Sequence, residues 1–149
     1  MRGVERTVEI GATILIDRDD WRDVDPGKDY QRLAPGRTVR LRHGPCTTAT
    51  GIEHDAVGRI VKILAEVHAD TFTGKNPENK KPSGVIHWVD AATSVPAEVR
   101  VYDRLFKSPQ PEEGGADFVE QIDPHSLSVV STARLEASVA TAAVGDRFQ

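Results

Sequence analysis

Two arginines stand two positions apart on a segment that alternates strictly between apolar and polar residues. Val39 and Leu41 would face one side of a strand there, and Arg40 and Arg42 would leave the other side about 6.6 Å apart. This spacing is close to that between neighbouring phosphates or bases of an extended RNA strand. Because a guanidinium group bonds phosphates and base edges bidentately and stacks on bases, the pair is a candidate RNA contact.

Further cations near this pair and in a later loop widen the candidate site. Lys28, Arg32 and Arg37 precede the arginine pair in the chain. A simpler interpretation also fits these residues. The arginines would then lie on an ordinary solvated strand face, and the lysines of the 73–83 loop would keep a flexible loop soluble. The residue pattern alone leaves the two interpretations open. The polar loop over 73–83 contributes Lys75, Lys80 and Lys81.

Catalytic and metal-binding patterns are not found in the sequence. The five histidines lack metal-ligand spacing and Cys46 is the single cysteine, so we expect no metal site. We interpret Cys46 as a small apolar residue rather than a nucleophile. No glycine-rich phosphate loop or GxSxG turn occurs. Cross-strand ion pairs with neighbouring arginines explain Glu98 and Asp103. We therefore predict no catalytic residue in this chain.

The composition is that of a soluble, globular domain. The 149 residues are 38% hydrophobic, 28% charged and 5% aromatic, so aliphatic side chains must fill most of the core. A net charge of -4 argues against a uniformly basic nucleic-acid binder but allows a local basic patch. The lone cysteine, the missing signal peptide and the lack of a long apolar run predict a cytoplasmic protein without a membrane segment.

Short strands must position the candidate RNA contacts. Turn signals rich in proline and glycine separate about seven strand-like segments, a pattern typical of an all-β barrel or sandwich. Short helices are expected near Asp17 and Asp117, each of which suits a helix start. The final residues resemble a turn that enters a further strand at Phe148–Gln149. The predicted strands are 7–16, 38–42, 46–52, 59–68, 84–89, 97–106 and 127–130.

Several collinear motifs closely resemble the C-terminal part of the glutaminyl-tRNA synthetases. The string YDRLF at Tyr102–Phe106 is the most specific, because related glutamyl enzymes of archaea and eukaryotes usually differ there. The resemblance covers nearly the whole chain. The matching segments are Ile14–Trp21, Tyr30–Leu33 with Gly36, Val39–Arg42, Gly84–Val89, Val99–Phe106, Asp123–Leu127 and Phe148–Gln149.

The resemblance implies a part of a class I enzyme that joins glutamine to its tRNA with ATP and Mg²⁺. In this family the nucleotide-binding catalytic fold precedes the matched region, and its HIGH and KMSKS signatures are absent from this chain. The matched region is two anticodon-binding β-barrels of a kind also seen in a ribosomal protein. This chain would be all-β, with one antiparallel barrel of about six strands, a few short helices and part of the second barrel. Residues 6–84 would form the first barrel and 85–149 part of a second, truncated one. No cofactor is expected in this chain.

The resemblance also implies roles for single residues. Arg32 matches the arginine that reads the third anticodon base, and Arg40 and Arg42 match the pocket around the first base. Gln31 is a further candidate RNA contact, although the family often has other polar or basic residues at positions 29 and 31. Lys28 is also a candidate, because it lies just before the arginines in the chain. Contacts to the middle base come from flanking segments. The implied partners are the anticodon stem-loop of tRNA(Gln) and the catalytic domain of the same parent chain, in a monomer.

Three other functions compete with this interpretation. A stand-alone ribosomal-RNA binding barrel would predict a more basic chain than a pI of about 5.7. A hydrolase with paired carboxylates would need convergent acidic residues, which no spacing supports. The anticodon-binding region of a glutamyl-tRNA synthetase would share the motifs and differ in the tRNA that it binds.

Overall fold

The computed structural model describes residues 7–78, 80–115 and 117–147, and it is built mainly from strands. This confirms the predicted all-β class. Within these residues the helical elements are short 3-10 turns, at Arg18–Asp20, Ala69–Thr73, Glu113–Gly115 and Ala137–Thr141. None of the described helices has the length and apolar character needed to cross a membrane. The strands are β1 Ile14–Leu15, β2 Thr38–Leu41, β3 Cys46–His54, β4 Ile60–His68, β5 Val85–Ile86, β6 Val89–Asp90, β7 Val95–Tyr102 and β8 Leu127–Leu135.

The chain divides into two compact units between Ala92 and Thr93. Strand pairing explains why residues after 84 stay with the first unit, since β5 pairs with β2 and β6 pairs with β1. The boundary expected near residue 84 between two barrels stays a prediction. The expected strand at Phe148–Gln149 lies outside the described residues.

A four-stranded sheet in the order β4-β3-β2-β5 forms the centre of the first unit. Its β4–β3 and β3–β2 pairs are antiparallel, as expected, whereas β2 and β5 run parallel with Arg40 opposite Val85 and Leu41 opposite Ile86. Parallel neighbours need a long connection, which β3, β4 and segment 69–84 supply. The sheets are open in the described residues, and the closed barrel stays a prediction.

The core of the first unit lies against β2. Val39 and Leu41 are 0% and 1% exposed, which confirms the alternation expected for this strand. Trp21, Leu33 and Ile86 complete most of the cluster. The opposite side of β2 is also covered, because the buried hydroxyls of Thr38 and Thr48 lie 2.7 Å apart across the β2–β3 pair. Arg40 therefore leaves a strand that is packed on both sides.

The segment expected as one strand over 84–89 is interrupted in the structure. Strand β5 ends at Ile86 and β6 begins at Val89, so His87 and Trp88 lie between two short strands. His87 is exposed and Trp88 is partly buried. The interruption frees His87 from strand pairing and allows it to face an open hollow on the first unit.

The second unit is built on a pair of long strands. Strands β7 and β8 pair antiparallel from Val95 opposite Leu135 to Tyr102 opposite Leu127, with an irregularity between Ala97 and Val99. The expected short helix after Asp117 is a turn instead, in which the Asp117 carboxylate accepts a hydrogen bond from the N–H of Val119 at 2.9 Å. One further bridge joins Phe106 to Ile122.

Candidate nucleic-acid interface

Arg32 is held beside Asp20 by the backbone of the first unit. A parallel bridge joins Trp21 to Leu33, and the N–H of Leu33 donates to the carbonyl of Asp20 at 2.9 Å. This pairing brings the Arg32 Nε to 2.8 Å from the Asp20 Oδ1. The Arg32 Nη1 donates to the carbonyl of Val85 at 3.3 Å. The side chain nevertheless remains 49% exposed, so it is both oriented and accessible.

Arg32 lies at the edge of an open hollow of about 560 Å³. This volume is within the range of small-molecule sites and is sufficient for a single unstacked base. The hollow offers carboxylate acceptors beside guanidinium and imidazole groups, an arrangement better suited to the donors and acceptors of a base edge than to phosphate alone. Its lining residues are Asp17, Asp19, Asp20, Arg22, Tyr30, Arg32 and His87.

Asp20 is the buried acidic group of this hollow. Burial raises the pKa of Asp20, and the nearby Asp17 acts in the same direction, whereas the positive charge of Arg32 opposes the rise. The side chain of Asp20 is 12% exposed. A carboxylate that is largely removed from water interacts more strongly with its ion-pair partner than a surface carboxylate does.

Arg42 is connected to the same hollow through His87. Its Nη1 lies 3.4 Å from the His87 Nε2, and both side chains are exposed. The backbone of Arg42 is fixed on two sides, because its N–H donates to the carbonyl of Ile86 at 2.9 Å and its carbonyl accepts from the Trp88 Nε1 at 3.0 Å. Arg42 is thus an exposed cation on a rigid backbone.

Arg40 has a different environment from the other two arginines. Its Nη1 donates to the carbonyls of Gly44 and Thr71, each at 3.2 Å. Its Nη2 donates to the carbonyls of Gly74 at 3.2 Å and Lys75 at 2.6 Å, and to the Asn76 side chain at 3.3 Å. Both amino groups are therefore occupied by the protein. Arg40 fastens the 71–76 segment to β2, a role that the strand pattern did not reveal.

Lys28 and Gln31 lie at the surface near Arg32. Both side chains are exposed, and neither is hydrogen-bonded to any of the residues that the structure describes. The backbone carbonyl of Gln31 lies against Gly84, where an added Cβ would clash with it. This close contact explains why residue 84 must be glycine and fixes the backbone immediately before Arg32. The lysines at 75, 80 and 81 are also exposed.

Arg37 organises the loop before Arg32 rather than extending the basic surface. Its guanidinium forms an ion pair with Asp25 at 2.7 Å and donates to the carbonyl of Tyr30 at 2.6 Å. It also lies 5.7 Å from the centre of the Tyr30 ring. The hydrogen bond from Arg37 holds the pKa of Asp25 below its usual value. These contacts of Arg37 place Tyr30 in the wall of the hollow.

The structure thus brings together only part of the predicted set. Arg32 and Arg42 share one region through His87, while Arg40 is directed into the 71–76 segment. The sequence motifs included Asp20 and His87, but nothing in the local pattern marked them as neighbours of Arg32. In the described residues, the Trp21–Leu33 bridge and the parallel β2–β5 pair create these contacts.

Comparisons with known proteins match the chain twice to the same kind of domain. Residues 2–68 and 85–149 match two family models, both described as anticodon-binding domains of class I tRNA synthetases (E and Q). Two relatives are the glutamine–tRNA ligases of Pseudomonas putida and Pseudomonas syringae pv. tomato, each 47% identical over 146 residues. The enzyme of Ralstonia pickettii is 44% identical over 145 residues. Each match covers 97% of this chain and 25% of the relative, so the chain spans about a quarter of their length.

Proposed function

Because the chain belongs to the anticodon-binding domains of the class I tRNA synthetases for glutamate and glutamine, we propose that it reads the anticodon of tRNA(Gln). The resemblance expected from the sequence motifs is confirmed by these family matches. The observation that carries the proposal is the half-exposed guanidinium of Arg32, fixed at the edge of a hollow that offers both donors and acceptors.

In the proposed mechanism, an unstacked anticodon base enters the hollow and is bonded on its edge. Arg32 reads the third anticodon base, with Tyr30 and His87 in the wall available for stacking. Arg42, whose own backbone is fixed near the hollow, contacts the first base or its phosphate. A bidentate contact between arginine and a base discriminates by about 1–3 kcal/mol, which is enough to reject a wrong base.

Lys28, Gln31 and Arg40 support this contact in different ways. Lys28 and Gln31 are exposed beside Arg32 and supply additional contacts to the RNA backbone. Arg40 acts on the first-base pocket through the segment that it fastens, since its amino groups bind carbonyls of that segment. Lys75 is carried by the same segment, so Arg40 also sets the position of a phosphate-binding cation.

The chain itself binds RNA and performs no chemistry in this proposal. It is a part of a glutamine–tRNA ligase, whose catalytic domain belongs to the same parent chain and uses ATP and Mg²⁺. Binding of the correct anticodon would favour productive transfer of glutamine at that distant domain through a coupling free energy. We propose a cytoplasmic location and a monomeric parent enzyme.

The proposal is tested with RNA hairpins that carry the anticodon loop of tRNA(Gln) or single-base variants of it. We expect Arg32→Ala to reduce discrimination at the third position, and Arg42→Ala to weaken binding and lower its salt dependence. Arg59→Ala is the matched control, because Arg59 is an exposed arginine of the same unit that does not line the hollow. Fluorescence anisotropy measures Kd for each combination of protein variant and RNA hairpin. Unchanged affinity and selectivity in both variants would refute the proposal.

A second candidate function is recognition of tRNA(Glu), because the family models describe synthetases for both E and Q. The same titrations should include a hairpin with the tRNA(Glu) anticodon loop. Tighter binding of the tRNA(Gln) hairpin supports the glutamine assignment, and the reverse order supports the glutamate assignment.

A further inference from the structure

We propose that Asp20 is a positioning residue that fixes the Arg32 guanidinium in the orientation that reads a base. The inference rests on the proposed function of Arg32 and extends it to a residue that need not touch RNA. It is drawn from the 2.8 Å approach of the Asp20 Oδ1 to the Arg32 Nε, and from the way the backbone holds the two residues together.

The backbone of Asp20 is restrained on both sides of the residue. Its N–H donates to the carbonyl of Asp17 at 3.0 Å, and its carbonyl accepts from the N–H of Leu33 at 2.9 Å. The second of these bonds ties Asp20 directly to the residue that follows Arg32. Since the side chain of Asp20 is largely buried, at 12% exposed, its carboxylate has little freedom to move away from Arg32.

Contacts within the protein use only part of the hydrogen-bonding capacity of Arg32. A guanidinium carries five N–H donors; the Nε lies 2.8 Å from the Asp20 Oδ1 in an ion pair, and the Nη1 donates a hydrogen bond to the carbonyl of Val85. In the described part of the chain, the Nη2 of Arg32 has no hydrogen-bond partner. The equivalent nitrogen of Arg40 has three acceptors. Arg32 is therefore held from one side and remains able to donate to a ligand.

Holding a long side chain before the ligand arrives improves selectivity in a specific way. A free arginine can follow a wrong base into an alternative hydrogen bond, whereas a fixed one can bond only a base whose acceptors are correctly placed. The negative charge of Asp20 also weakens the general attraction of the hollow for phosphate. Asp20 thus should raise discrimination while it lowers affinity that is independent of sequence.

The test is Asp20→Asn, measured with the hairpins that differ at the third anticodon position. We expect discrimination at that position to fall about three- to tenfold, the effect of weakening one hydrogen bond from Arg32 to the base, while affinity for mismatched hairpins stays constant or rises. Arg32→Ala should lose about tenfold or more, and the double variant should lose no more than Arg32→Ala alone. Discrimination at the first position should not change.

Asp55→Asn is the matched control. Asp55 forms an ion pair with the Nε of Arg59 at 2.9 Å in the β3–β4 hairpin, outside the hollow. Its substitution removes a similar pair without touching Arg32, and selectivity should stay at the level of the unsubstituted chain. The Arg32 Nε–H resonance gives a second measurement that needs no RNA. It should show restricted motion in the unsubstituted chain and in Asp55→Asn, and increased motion in Asp20→Asn.

The outcomes separate this inference from the proposed function. If Arg32→Ala reduces discrimination but Asp20→Asn leaves it intact, the positioning role is wrong and the anticodon proposal stands. If Asp20→Asn weakens binding of all hairpins equally, Asp20 has only a structural role and the inference is again overturned. If Arg32→Ala itself changes nothing, both proposals fail.

Discussion

The two compact units of this chain differ in how they bury apolar side chains. In the first unit, Trp21, Val39 and Leu41 are no more than 2% exposed. In the second unit, Val101 and Val129 lie on paired strands and are 53% and 52% exposed. Among the described residues after Thr93, Ser94 is the one buried residue. The first unit therefore has a core, and the second depends mainly on strand pairing.

This difference explains where the candidate site lies. A base-reading arginine must be fixed within a fraction of an ångström, and only a packed scaffold provides this precision. Both arginines are next to a core residue in the chain. Arg32 is followed by Leu33, and Arg42 is preceded by Leu41. An isolated two-stranded pair is only marginally stable in water. The second unit alone would be a poor support for such a site.

The largest effect is expected from truncation of a core residue in the first unit. Trp21→Ala should lower the free energy of unfolding of that unit by about 3–5 kcal/mol, because it leaves a cavity and removes the hydrogen bond from the Trp21 Nε1 to Asp23. Tyr102 is 72% exposed in the second unit, so Tyr102→Ala should change the free energy of unfolding of the second unit by less than about 0.5 kcal/mol. Urea unfolding measures both, and equal losses would contradict the contrast between the units.

A smaller effect is expected from Thr71→Val. The Thr71 hydroxyl accepts from the N–H of Cys46 at 2.7 Å and donates to the carbonyl of His68 at 2.6 Å, and the residue is fully buried. Valine leaves the buried N–H of Cys46 unpaired, which costs about 1–3 kcal/mol. Because Thr71 also supplies a carbonyl to Arg40, the 71–76 segment should loosen.

The second unit contains a matched control for that substitution. Thr141 also donates to a carbonyl three residues earlier in a 3-10 turn, that of Ser138, but at 3.5 Å and on the surface. Thr141→Val should therefore leave the unfolding midpoint nearly unchanged. A loss as large as that of Thr71→Val would show that burial does not distinguish the two turns.

The sequence predicted the strand that carries the arginines but not what each arginine does. Alternation of Val39 and Leu41 with Arg40 and Arg42 correctly placed β2 and its buried side. It also suggested that the two arginines act as a pair. The structure separates them, because Arg40 meets acceptors more than thirty positions away in the 71–76 segment. A periodic pattern defines a side of a strand, whereas the neighbours of that side depend on tertiary contacts.

The hollow itself could not be derived from local patterns for the same reason. Asp20 reaches Arg32 through a bridge between two irregular segments, and His87 reaches Arg42 through a parallel strand pair. Neither pairing produces a periodic alternation of apolar and polar residues in the sequence, since the paired segments are short and interrupted. The family motifs included all four residues, but motif membership does not tell which residues touch.

A further prediction concerns the anchor of the second unit. Arg134 donates from its Nη2 to the carbonyl of Ser94 at 2.9 Å and from its Nε to the Ser94 hydroxyl at 3.2 Å. Arg134→Ala should lower the local stability of the β7–β8 pair by about 1 kcal/mol, with faster amide hydrogen exchange in both strands. Arg100→Ala is the control, because Arg100 forms an exposed ion pair with Glu98. Equal acceleration in both variants would contradict an anchoring role for Arg134.

The smallest effects are expected in acid, where the contributions of Asp20 in the first unit and Asp123 in the second unit to stability should have opposite sign. Burial raises the pKa of Asp20, so its contribution to the stability of the first unit is lost as pH rises from the unfolded pKa through the raised folded pKa. Hydrogen bonds from His125, first from its backbone N–H, lower the pKa of Asp123. Its contribution to the second unit is present above the unfolded pKa and is lost as pH falls through the folded pKa.

Asparagine substitution at each position isolates these two contributions. Amide hydrogen exchange at several acidic pH values should report the two units separately. In the window between folded and unfolded pKa, Asp20→Asn should make the stability of the first unit rise more steeply with pH, because it removes a term that falls. Asp123→Asn should make the stability of the second unit rise less steeply, because it removes a term that grows. Slopes that change in the same direction would mean that burial of Asp20 does not outweigh its attraction to Arg32.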